Sequence, residues 1–154
     1  MPDKDDVIKA AERLYEEKDE AALELLIGMR ARAIEQEPGL KDNVDFEPKY
    51  QTETMGPLDE IKRLSLRILN RWNKELCGLV CGAKGNDQNT RKAIFDSLNL
   101  GEAAVIAAVV GALLSLGVGA ALAAPLAPLI VGKFIWPAKD ELCDAWGEAI
   151  ATQG

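Results

Sequence analysis

EAAVIAAVVGALLSLGVGAALAAPLAPLIVGK, residues 102–133, decides the fold. The thirty residues between Glu102 and Lys133 carry no charge and one hydroxyl, Ser115, and ten of them are alanine. Such a run has to be buried, because apolar surface left in water is unfavourable. Lipid is one solvent for it, since residues 103–124 reach the roughly 20 residues that cross a bilayer. The nine Val, Ile and Leu side chains of residues 103–123 supply only about −3 to −5 kcal/mol on an insertion scale, and alanines add little. A protein interior fits better. Gly117 and Gly119 stand where the first half ends and offer the positive φ that caps and turns need. Each half then has about fifteen residues and spans roughly 22 Å, short of roughly 30 Å of hydrocarbon. Pro125 and Pro128 lack a backbone donor and kink or start a helix. The expectation is a hydrophobic helical hairpin over residues 102–136 at the centre of an all-α bundle of six or seven helices.

Small residues recur along the first half at steps of four, as Ala103, Ala107 and Gly111 and as Ala104, Ala108 and Ala112. Two adjacent faces of that kind let another helix backbone approach closely, in water or in lipid. Ala104, Ala108, Gly111 and Ala112, with Gly117 and Gly119, are therefore the expected close-packing or insertion segment.

Amphipathic helices flank this run on both sides. Val7, Ala11 and Leu14, with Ile8 and Tyr15 beside them, make the stripe of a first helix, with Asp3 to Asp6 as cap residues. Asp19 caps a second helix through Leu23, Leu26, Ile27, Arg30 and Ile34, which Pro38 and Gly39 end. Residues 1–37 form an acidic helical pair. Residues 38–57 hold three prolines and two glycines, but Val44, Phe46, Tyr50 and Met55 are spaced to press on a helix surface, so a strap is expected and not a free linker. The helical core is 58–154. Its strongest period is Ile61, Leu64, Ile68, Trp72, Leu76 and Leu79, a helix opened by Pro57, with Arg63, Arg67, Arg71 and Lys74 on the opposite face. Gly82, Gly85 and Asn86 read as a loop, Asp87 as a cap, and Ile94, Phe95 and Leu98 as the core of the next helix up to a break at residues 99–101. Pro137 is expected to open a last helix through Leu142, Trp146 and Ile150, with Asp140, Glu141, Asp144 and Glu148 outward. No alternating run is long enough for a strand. All 154 residues read as one domain.

This arrangement of amphipathic helices around an Ala-, Val- and Gly-rich hairpin resembles, in architecture, the soluble form of pore-forming colicin domains. The resemblance covers residues 101–136 and includes no residue motif.

Charge is segregated along the chain. Of the net −7, residues 1–60 carry −9, residues 61–101 carry +5 and residues 102–154 carry −3. The row Arg63, Arg67, Arg71 and Lys74 is the candidate interaction face. It suits a protein partner or the chain's own acidic helices, while the overall negative charge disfavours nucleic acid. The acidic start of the sequence shows neither a basic nor an apolar export region, and three cysteines are an odd number. Reduced, packing thiols in a cytoplasmic protein are expected.

The absence of histidine removes Ser-His and Cys-His nucleophiles and the helical His zinc and di-iron patterns. Cys77, Cys81 and Cys143 lack a fourth metal ligand, and Gly82 and Lys84 lack the spacing of a phosphate loop. Glu16, Glu17, Glu20 and Glu24 read as solvated carboxylates on polar helix faces. The expectation is a non-enzymatic, self-associating or partnered interaction module, without metal, cofactor or small-molecule substrate. The alternative is a membrane-active protein whose hairpin inserts into a bilayer.

Overall fold

The computed structural model describes residues 3–82 and 88–153. The expected loop at Gly85 and Asn86, the cap at Asp87 and the residue Lys84 lie outside them. Among the described residues there is no strand, and seven helices of ten or more residues form an all-α bundle. They are α1 (Lys4–Glu17), α2 (Glu20–Gln36), α4 (Leu58–Cys81), α5 (Gln88–Ser97), α6 (Glu102–Ser115), α7 (Ala120–Ile130) and α8 (Leu142–Gln153), with α3 (Thr52–Met55) a single turn between α2 and α4.

The caps form as their residue types require. Asp3 accepts from the backbone N–H of Asp6 while Asp6 reaches back to that of Asp3, a reciprocal capping box at α1. Asp19 accepts from Ala22 at the start of α2.

α6 and α7 pack on each other, and α1 lies across both. α7 is the most enclosed element, with ten of its eleven residues buried. α6 turns Val105, Ile106, Val109, Val110 and Leu113 to the core. Of its small residues, Ala112 is buried, while Ala104, Ala108 and Gly111 are half-buried, with Ala108 packed against the core. The branched side chains win the core because each buries more apolar surface than an alanine. Over Gly111 lies the Lys4 side chain, whose Nζ would be 2.9 Å from an added Cβ. A close helix approach is seen between α2 and α4, where a Cβ on Gly28 would stand 2.5 Å from the Ile61 carbonyl oxygen.

Of the two turn glycines, only Gly117 adopts positive φ, at 95°. Gly119 precedes α7 with φ −65°, and its lack of a side chain admits the Lys41 carbonyl oxygen, 3.0 Å from where a Cβ would be. Pro125 and Pro128 neither start nor end α7 but lie inside it. Pro137 does not open the last helix, because the chain passes through a π-turn (Val131–Ile135) and a 3-10 turn (Lys139–Glu141) before α8 begins at Leu142.

The reading of three reduced thiols is corrected. Cys81 at the end of α4 and Cys143 at the start of α8 form a disulfide, with Cα atoms 5.4 Å apart, and Cys77 alone is free. Burial pushes the Cys77 thiol up from its ordinary pKa, which keeps it protonated at neutral pH.

Candidate functional site

α4 is long and amphipathic, and its two faces do different work. The buried stripe is Ile61, Ser65, Leu69, Asn73, Leu76 and Val80, one position on from much of the expected one. Leu64, Ile68, Trp72 and Leu79 flank it half-buried. Two polar residues thus sit on the midline. Asn73 is explained by Trp146, whose indole Nε1–H donates to Asn73 Oδ1 at 2.7 Å with both residues buried. Ser65 is explained by size, because its small side chain is what faces Gly28 where α2 crosses. The Ser65 hydroxyl has no hydrogen-bond partner.

Opposite this stripe, Arg63, Arg67, Arg71 and Lys74 are all exposed. The structure brings them together as one row on α4, and the Arg71 guanidinium lies 4.5 Å from the centre of the Trp72 ring. Among the described residues, the row does not pair with the chain's own acidic helices. Among the described residues, the ion pairs are Arg13–Asp45, Lys18–Glu47, Arg32–Glu35 and Lys133–Glu24, and none uses a cation of the row. The geometric reason is that α1 packs on α6 and α7, while α2, which does pack on α4, meets its buried stripe at Ile61 and Ser65 through Gly28 and not the cationic face. Arg63 donates to the carbonyl of Asp59 one turn earlier, at 3.4 Å.

Two members of the row, Arg63 and Arg67, line a groove between α2 and α4. One part is a cavity of about 500 Å³ lined by Arg32, Glu60, Arg63, Leu66, Arg67 and Asn70. The adjoining part, about 530 Å³, is lined by Ala21, Ala22, Glu24, Leu25, Leu58, Lys62, Ser65 and Leu66. Leu66 belongs to both. Of the four large apolar side chains most exposed among the described residues, two are in this groove, Leu58 at 37% and Leu66 at 43%. Sequence reasoning found the cations but missed the leucines, since Leu66 falls outside the apolar period of α4 and reads there as an isolated surface leucine.

Glu24 departs from the solvated role expected of it. It is half-buried and ion-paired with Lys133 at 3.1 Å, which ties α2 to the π-turn. Among the described residues no three His, Cys, Asp or Glu side chains converge as a metal-holding group. Among the described residues, no single helix is long and apolar enough to cross a membrane, although Ala120–Ile135 and Lys139–Ala151, bent by 75°, meet the length and composition together.

No protein-family model, curated protein or solved structure matches this chain.

Proposed function

We propose that this chain is a non-enzymatic protein-interaction module that docks an acidic protein partner on the α4 face bearing Arg63, Arg67, Arg71 and Lys74. The observation that carries this reading is the row itself, four exposed cations on one helix without an ion pair among the described residues, with exposed Leu66 beside Arg63 and Arg67. Exposed ion pairs contribute little within a single chain. Across an interface that excludes water, arginine–carboxylate bonds are shorter and stronger, and leucines supply apolar area that the cations cannot. The chain's net charge of −7 weighs against a nucleic acid on the same face.

The test is reconstitution. A protein that co-purifies with the chain is produced separately and its affinity measured against the parent and against Arg63→Glu/Arg67→Glu. Loss of about tenfold or more, with unchanged melting of the variant, supports the reading. Equal affinity overturns it.

One observation favours a second reading, membrane activity: the bent apolar pair beginning at Ala120 has the length and composition of a broken span. Dye release from anionic vesicles at neutral or acidic pH, abolished by a charge placed in α7, is the outcome that reading requires.

A further inference from the structure

We propose that the occupant of the α2–α4 groove is an amphipathic, acidic α-helix of about three turns supplied by the partner. This rests on the protein-interaction reading and names the partner's recognised element.

Length comes first. From Leu58 to Asn70 the groove follows α4 for twelve residue steps, roughly 18 Å at 1.5 Å per residue, which a helix of about twelve residues matches. Backbone chemistry excludes strand addition. The groove walls are two α-helices, whose N–H and C=O groups are bonded along their own axes, so the surface presents no strand edge to pair with. An occupant that buries backbone there satisfies its own hydrogen bonds, as a helix does.

The side-chain pattern sets the composition. Leu25, Leu58 and Leu66 offer an apolar floor reached by anchors at i, i+3, i+4 and i+7 of an incoming helix. Charge sets the rim. Among the groove's charged groups, Glu24 is held by Lys133 and Arg32 by Glu35, leaving Lys62, Arg63 and Arg67 against Glu60 without ion pairs among the described residues. The unneutralised remainder is basic, so the complementary rim of the occupant is acidic. The acidic α1 of a second copy does not fit, because its apolar side is already buried at Val7, Ala10, Ala11 and Leu14.

The probe is a synthetic, end-blocked, fluorescent peptide of about fourteen residues, with leucines at i, i+3, i+4 and i+7 and glutamate and alanine elsewhere. Its anisotropy is followed with the whole chain at physiological salt. Saturable binding is expected, weakened about tenfold or more by Arg63→Glu/Arg67→Glu, by Leu66→Glu, and by permuting the peptide to destroy its apolar stripe. All three groove positions are exposed, and Leu66→Ala serves if Leu66→Glu lowers the melting temperature. The inference is overturned if the peptide does not bind, if the permuted peptide binds equally well, or if anionic phosphatidylserine vesicles bind the chain and displace the peptide. Should a reconstituted partner be lost on charge reversal while the peptide fails, only the helix-in-groove assignment falls. Should that partner ignore the reversal, the parent reading falls with it.

Discussion

Pro125 has no N–H to give the carbonyl of Ala121 one turn earlier, and the buried guanidinium of Arg30 gives one instead, at 2.8 Å. The same guanidinium donates to the carbonyls of Val44 at 3.2 Å and Phe46 at 3.1 Å, with the Phe46 ring centre 5.1 Å away. Arg30 is 1% exposed. Burial pulls its pKa down to about 10 while Glu47 and Asp45 oppose the shift, so it is charged at neutral pH. The sequence places Arg30 on the apolar stripe of α2, which makes its burial legible. Its acceptors come from residues 14, 16 and 91 positions away, and no local pattern announces those. Arg30→Met should leave three carbonyls short of a donor and cost on the order of 3 kcal/mol, at about 1 kcal/mol or more per orphaned group. Chemical denaturation measures the loss, and amide exchange should accelerate over residues 43–47, which Arg30 holds down.

Between elements, the links are few and specific. The Tyr15 hydroxyl of α1 donates to the Glu102 carboxylate at the start of α6. Tyr15 is pushed up to about 12 by burial first, then by its bond to Glu102 and that group's charge. A folded pKa above the unfolded value of about 10 means the contribution is full below pH 10 and disappears as pH rises towards 12. The stability difference between the parent and Tyr15→Phe should therefore shrink across pH 10 to 12, and denaturation midpoints at stepped pH check it. At the other end, Cys81–Cys143 closes a loop of sequence separation 62 that contains α5, α6 and α7. A cross-link of that span stabilises by about 4 kcal/mol through loss of unfolded-chain entropy. Cys143→Ser should lose about that much, and a thiol titration of the denatured, unreduced parent should find one reactive cysteine.

The helices and their caps were legible because Asp3, Asp19 and the periods of α1, α2 and α4 are local signals. The disulfide and the offset of the α4 stripe were not, since both are set by α2 and α8 packing on α4. Ser65 and Asn73 look like surface residues until Gly28 and Trp146 are placed against them.

At the scale of the whole molecule, the segregation of charge along the chain is kept in space for α1 but not for α2, which packs on α4. Acidic α1 rests on α6 and α7, and the basic row projects from α4, which is packed on α2, α5 and α8. The row was readable from steps of four and three in the sequence, but whether the acidic helices neutralise it depends on topology, which charge counting does not contain. The central claim is that the α4 face meets a protein partner, and site-specific photocrosslinking tests it most directly. A photoreactive residue in place of Leu66 should give, in living cells, an adduct to one protein species that is lost when Arg63→Glu/Arg67→Glu is added. The same residue in place of exposed Asp5 on α1 should give no such adduct. An adduct at position 5 and none at 66, or one at 66 indifferent to the charge reversal, would contradict the account.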